Sequence, residues 1–212
     1  GELDALPEET QANNFEEFWT GRIGATLYDK FVTHYNKKAW LLDHNLEMDH
    51  GFEQTVKGKT INSGDRHEHQ GWFNCYPIAP DGYNSFFDIA LEGCEVRLGT
   101  EIEVFDVDTC AVHIKGTGET ISADLMISST SPDLLLDYQF GELRYVGREF
   151  HKIVLPLESV FPEDVYFLYY PNENEEHTRV VEYKKFTQHK SPHSLVVLEV
   201  PSMKNKLYPM LI

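Results

Sequence analysis

Apolar residues in this chain recur first at helical spacing and then, past residue 93, at the two-residue spacing of strands. Phe15, Phe18 and Trp19 give one apolar face, and Asn14 with Glu17 three residues later reads as a capping box that starts a helix. Gly21 and Gly24 interrupt it. Ile23, Leu27, Phe31 and Tyr35 then follow at steps of four, and Tyr28 and Val32 widen the stripe of a second helix. Residues 41–75 show no sustained period and are too long for a plain connector, so a functional loop or a disordered segment is expected there. Phe86, Phe87, Ile89 and Ala90 mark a third helix around Tyr83–Leu91, which stops at Gly93.

Glu95–Leu98, Ile102–Val107 and Cys110–Lys115 read as short strands, with a hairpin around Asp106–Thr109. Gly116-Thr117-Gly118 is a turn, and Ala123–Ser129 is a more continuously apolar strand. Ser131-Pro132-Asp133 opens a short helix with proline at its first position. Further strands are expected near 143–154, 164–170, 178–185 and 194–200. Helices first and strands later predict an α+β fold with a largely antiparallel sheet.

Composition narrows the function classes. The 212 residues are 41% apolar and 13% aromatic, enough for a packed core, and no apolar run reaches the length of a membrane span. No basic segment followed by an apolar stretch marks a secretory signal, so the cytoplasm is the expected location. A formal charge of −17 argues against nucleic-acid or anionic-membrane partners, because both need a clustered basic field. Against that background an anionic ligand has to be met by local cations. Cys75, Cys94 and Cys110 are an odd set without short spacings, which predicts reduced, buried thiols rather than disulfides or zinc ligands. Asp65-Arg66-His67-Glu68-His69 holds two histidines but no third anchored ligand, so no metal site is expected. No nucleophile elbow or cysteine–histidine pairing stands out for covalent catalysis. A lone Gly1 before Glu2-Leu3 and the apolar ending Leu207–Ile212 suggest a segment of a longer protein.

One stretch concentrates candidate chemistry. His177-Thr178-Arg179-Val180-Val181-Glu182 alternates like a strand and sets a guanidinium, whose planar fork suits phosphate oxygens, among apolar neighbours. His34-Tyr35-Asn36-Lys37-Lys38-Ala39-Trp40 ends a helix with an indole able to stack on a flat heteroaromatic ring; packing as a core anchor is the bland alternative. Together with Asp137-Tyr138-Gln139-Phe140-Gly141, these segments resemble the flavin-dependent UDP-galactopyranose mutases. In that family a Tyr-Thr-Arg-Ile-Ile-Glu-like strand carries the arginine that grips the substrate pyrophosphate, which implies that role for Arg179. A Gly-Tyr-Thr-x-Lys-x-Trp motif holds the uridine end, which implies that role for Tyr35 and Trp40. Leu207-Tyr208-Pro209-Met210 is similar to a Tyr-Tyr-Pro-Val segment, which implies a diphosphate contact for Tyr208. Tyr76–Tyr83 with Leu91-Glu92-Gly93 resembles the family's Pro-x-Gly-Gly-Tyr turn and helix, and the order of matches holds from about residue 14 to 210.

The departures are equally specific. His34 replaces the family glycine, Asn36 the threonine, and Leu41 the glycine after the tryptophan. Gln139 and Val146 stand where the family has arginines. Lys57 to Gln70 matches the family's mobile, arginine-bearing loop poorly, leaving Lys59 and Arg66 as loop candidates. No Gly-x-Gly-x-x-Gly turn between a strand and a helix is present, so the flavin-binding ends are missing.

The resemblance therefore implies a fragment of a larger flavin-dependent α/β enzyme. Residues 1–92 would be a helical substrate-binding region, 93–135 a strand block belonging partly to the missing flavin domain, and 136–212 an antiparallel-sheet substrate-binding region. FAD is expected in the full-length parent and not in this chain, which alone should be inactive. The parent would be an isomerase of sugar-nucleotide precursors for surface polysaccharide. Expected partners are a UDP-sugar and the parent's own flavin-binding domain; a homodimer of the isolated chain is a further expectation. Two other classes stay open: a non-catalytic or altered-specificity sugar-nucleotide or interaction module, and a flavin amine-oxidase-type enzyme, which would not need the tyrosine–tryptophan pair and the strand arginine together.

Overall fold

The computed structural model describes residues 1–8, 11–48, 75–203 and 210–211. In chain order it holds α1 (Phe15–Leu27), a π-helical segment (Tyr28–Thr33), α2 (His34–Trp40), a 3-10 turn (Asn45–Glu47), α3 (Asn84–Ala90), β1 (Ile102–Asp106), β2 (Ala111–Ile114), β3 (Thr120–Ser122), α4 (Pro132–Leu135), β4 (Tyr145–Leu155), β5 (Phe167–Tyr169), β6 (Arg179–Glu182), α5 (Lys184–Thr187), β7 (Ser194–Ser202) and β8 (Met210–Leu211). The described strands form two antiparallel sheets, β1-β2-β3 and β5-β6-β7-β4-β8, so the fold is α+β. Two compact units result: residues 1–80 with 145–212, and residues 81–144.

In the first unit α1 starts where local chemistry dictates. The Asn14 side chain accepts from the Glu17 amide at 2.9 Å. The return half of the expected box is displaced by one residue, since Glu17 accepts from the Asn13 backbone and amide side chain at 2.9 and 3.0 Å. Gly24, at φ 81° and ψ 161°, kinks the helix, and a Cβ there would meet the Glu2 side chain at 2.7 Å. Phe15, Ile23 and Tyr28 form the buried cluster, with Trp19, Leu27, Val32 and Met48 packed against it. Phe31 was expected on the same stripe, yet it is exposed. The π-helical segment explains this, because its wider turn rotates the side chains out of step with a ladder of fours. Asn45 then pins the following turn beneath the helices. Its amide donates to the Tyr28 hydroxyl at 3.0 Å and the Thr33 carbonyl at 3.1 Å, and it accepts from Asn36 at 3.0 Å.

The larger sheet is built on nine consecutive β4–β7 pairs, from Gly147↔Ser202 to Leu155↔Ser194. Valines 146, 180, 181, 196 and 197 supply buried apolar positions in it. The strand expected to run on to residue 185 stops at Glu182, and Lys184–Thr187 turns into a short helix. Glu182 is fully buried at that junction. Its carboxylate accepts from the Val160 and Phe161 amides at 2.9–3.2 Å and lies 3.9 Å from the Lys185 ammonium. Lys185 in turn donates to the Phe161 carbonyl at 2.6 Å and to that of Pro162.

The second unit is thin. Asp106 accepts from the Thr109 amide at 3.0 Å to close the β1–β2 hairpin, and Gly116 and Gly118 take left-handed conformations in the next turn. Asp133, buried, holds the 134–143 turn through the Leu134 and Leu143 amides at 3.0 and 3.2 Å. Glu95–Leu98 and Ala123–Ser129 are not strands. The second run is near-continuously apolar, which suits a strand covered on both faces, but Leu125 and Ile127 are exposed and the described sheet ends at β3. The thiols correct another expectation. None of the three is in a disulfide, but Cys75 and Cys94 are exposed and Cys110 is half-buried. The Asp65–His69 run, Lys59, Arg66 and Tyr208 lie outside the described residues. Among the described residues no helix is long and apolar enough to cross a membrane, and no His, Cys, Asp or Glu cluster could hold a metal ion.

Candidate functional site

Strand pairing decides what surrounds Arg179. Tyr169 on β5, Arg179 on β6, Glu199 on β7 and Phe150 on β4 are register partners in one row across four strands. Directly opposed residues share a sheet face. Arg179 Nη2 donates to Glu199 Oε1 at 2.8 Å, and Glu199 is only 2% exposed. The guanidinium carbon lies 5.7 Å from the Phe167 ring centre and 5.9 Å from that of Tyr169, within cation–π range. Burial works against the Arg179 charge, but the hydrogen bond and charge of Glu199, aided by Tyr169, outweigh it and raise its pKa. Arg179 Nε is buried and has no hydrogen-bond partner among the described residues. One edge of the fork is thus fixed by Glu199, while the side chain as a whole stays 35% exposed.

Tyr35 joins this row from α2. Its ring meets that of Tyr169 edge-on at 5.7 Å. Burial, then the neighbouring Tyr169, push the Tyr35 phenol above its usual value, with Glu199 adding to the rise and Arg148 and Arg179 pulling it down. Arg148 on β4 donates from Nη1 to the hydroxyl of Thr178, the residue before Arg179, at 3.1 Å. Tyr183, just past β6, also senses the pair: burial and Glu199 raise its pKa, while Arg179 opposes them. Beyond it runs an aromatic chain in which Phe186 stands 6.3 Å from Phe167, nearly parallel, and 5.2 Å from Tyr166. Tyr169 and Tyr183 remain exposed, so flat ring surface is open to solvent beside the guanidinium.

The structure therefore brings Tyr35 and Arg179 together. Trp40 is half-buried at the last residue of α2. Five residues beyond Tyr35, regular helix geometry sets it about 7.5 Å along the axis and about 140° around it. No described contact of Tyr35 or Arg179 includes the indole. Tyr169, Glu199 and Arg148 were missed by reading the sequence, and only pairing register could have selected them. Their signal was faint: an acid inside the apolar Leu195–Val200 run and an aromatic pair at Phe167 and Tyr169.

A cavity of about 440 Å³ opens elsewhere, between α2 and the loop after β5. His34 and Lys37 face Glu173 and Glu176 across it, over Leu41 and Pro201, and His34 Nδ1 is 3.3 Å from Glu173. Neither Tyr35 nor Arg179 lines it, so the row around Arg179 is an open surface rather than this cavity.

A flavin does not fit the described residues. Its diphosphate needs a glycine-rich turn leading from a strand into a helix N-terminus. Gly116 and Gly118 sit between β2 and β3 instead, and α1 and α2 follow no described strand.

The fold matches that of a crystal structure of reduced UDP-galactopyranose mutase with a TM-score of 0.68 at 19% identity, over 100% of this chain and 56% of that one. A family model described as UDP-galactopyranose mutase matches residues 30–211. The chain belongs to the UDP-galactopyranose mutase family. It spans 56% of the length of the mutase structure it matches.

Proposed function

We propose that this chain is the substrate-binding segment of a UDP-galactopyranose mutase-like enzyme that interconverts UDP-galactopyranose and UDP-galactofuranose. Arg179, with Tyr208, holds the diphosphate, and Tyr35 and Trp40 hold the uridine. Lys59 and Arg66 are loop contacts in the same reading, and Arg148, which donates to the Thr178 hydroxyl next to Arg179, supplies a second guanidinium. Residues 1–92 and 136–212 are its substrate-binding portions, and 93–135 belongs with the flavin part. FAD belongs to the full-length protein, where it supplies the chemistry at the anomeric carbon. Within this chain the residues bind and orient the sugar nucleotide. The same reading places the protein in the cytoplasm and in polysaccharide-precursor synthesis.

The Arg179 guanidinium, held by Glu199 yet 35% exposed beside the open Tyr169 ring, is the observation that carries this reading, because a phosphoryl oxygen is the acceptor such a fork suits. Calorimetric titration with UDP tests it. Wild type binds, and Arg179→Met binds about 10- to 100-fold more weakly, as expected for loss of a charge-assisted contact. Equal affinity in the two proteins would remove Arg179 from the site.

A second reading, altered specificity or no catalysis on the same scaffold, is favoured by Val146. It stands where the family has an arginine, and at 1% exposure it is a core residue. Assay of the full-length protein with dithionite and UDP-galactofuranose separates the two. Turnover supports the mutase, and flavin binding without turnover supports the second reading.

A further inference from the structure

Tyr35 and Arg179 are far apart in sequence and sit on different elements, so something must fix the distance between α2 and the β5–β6 hairpin. Lys38 lies three residues after Tyr35, on a neighbouring part of the same helix surface. Its ammonium donates to three main-chain carbonyls: Tyr170 at 2.6 Å, Asn172 at 2.7 Å and Glu175 at 2.9 Å. An ammonium has three donors, and all three are used on one loop. That loop begins immediately after Tyr169 and ends at Arg179. The Tyr170 amide donates to the Thr178 carbonyl at 3.0 Å and closes it. The carbonyl cage around Nζ thus sits on the segment whose two ends carry the ring that Tyr35 touches and the guanidinium beside it.

We propose that Lys38 is a positioning residue whose ammonium, caged by the 170–175 carbonyls, sets the spacing between the Tyr35 helix and the Arg179 strand and hence the width of the sugar-nucleotide site. The functional half of this rests on the reading of that site given above. A guanidinium does not replace the ammonium, because a flat fork cannot converge on three carbonyls that surround a point charge. A methionine keeps the length but leaves three carbonyls without their donor. Burial draws the Lys38 pKa down, with Glu175 opposing it.

The test uses the full 212-residue chain. UDP is titrated calorimetrically into wild type, Lys38→Met and Lys38→Ala, the last with ethylammonium chloride or with sodium chloride at equal ionic strength. Both variants are expected to bind UDP at least about tenfold more weakly than wild type. Ethylammonium, which refills the cage, restores affinity to Lys38→Ala, and sodium chloride does not. Wild-type affinity in a folded variant overturns the proposal, as does weak binding that ethylammonium leaves unchanged. If both variants fail to fold, Lys38→Arg decides: a native circular-dichroism spectrum with weakened UDP binding supports the proposal, and wild-type affinity overturns it. Failure of all three to fold also overturns it, since Lys38 would then be a folding staple only. A second readout needs no nucleotide. Nuclear Overhauser contacts between the Tyr35 and Tyr169 rings are expected in wild type and lost in a folded Lys38→Met. Their persistence in that variant overturns the tether. If wild type shows these contacts and the variant loses them while wild type fails to bind UDP, the site reading falls and the tether stands.

Discussion

Phe18 in α1 and Phe86 in α3 sit on short apolar helices, yet the first is 1% exposed and the second 64%. The contrast extends to their units. In the unit formed by 1–80 and 145–212, α1 buries Phe15, Phe18 and Ile23, and Arg22 lies 3.6 Å over the Phe18 ring. In the 81–144 unit α3 buries none of its residues, and Phe86, Phe87 and Ile89 all face solvent. The two units use the same kinds of amphipathic element, and only one gives them an apolar partner among the described residues. Hydrophobic pattern states what a face requires and does not supply the cover. The unit that covers its faces is also the one that holds the Arg179 row.

Paired truncations give the largest test of that contrast. Phe18→Ala should cost about 3–5 kcal/mol in urea unfolding, the range for a buried aromatic. Phe86→Ala should stay within about 0.5 kcal/mol, as for an exposed position. A comparable loss at Phe86 would break the comparison. Glu182→Gln comes next, at about 1–3 kcal/mol, because a buried charged acceptor of two amides is weakened. This site also has a pH signature. Burial alone would raise the Glu182 pKa, but hydrogen bonds from Phe161, Ser194 and Val160 and the charge of Lys185 prevail and lower it. A carboxyl lowered on folding contributes stability that is complete above its unfolded value, near 4.5, and that fades as pH falls through the folded value. Glu182→Gln should therefore lose stability at neutral pH and show a shallower acid limb below about pH 4.5. An acid limb as steep as that of wild type would remove Glu182 from the account. Asn14→Ala sharpens the comparison at the smallest scale. It removes only a cap and should cost about 1 kcal/mol in the same assay.

Legibility in the sequence followed the range of the interaction involved. The α1 start was readable because Asn14 and Glu17 are three residues apart and their bond is local. The long strands near 143–154 and 194–200 were readable from alternation and β-branched residues, and both are present as β4 and β7. The exposure of Phe31 was not, because a π turn is a departure from the very period used to find the helix. Nor was the 123–129 error visible, since an apolar run cannot report whether a neighbouring strand exists. At the site, Tyr35 and Arg179 were singled out by motif, while Tyr169 and Glu199 had no local mark.

The chain's own residue order determined its α+β class, the helix start at Asn14, the acidic field that any anionic ligand must overcome, and the motifs of its family. Those properties depend on neighbours within a few residues or on sums over the whole chain. Tertiary structure alone decided that Tyr169, Arg179 and Glu199 share one row, that Tyr35 meets them, and that Lys38 fills a cage of carbonyls. Strand register and helix docking bring together groups 10 to more than 130 positions apart. No local preference along the chain encodes which of the many such pairings forms.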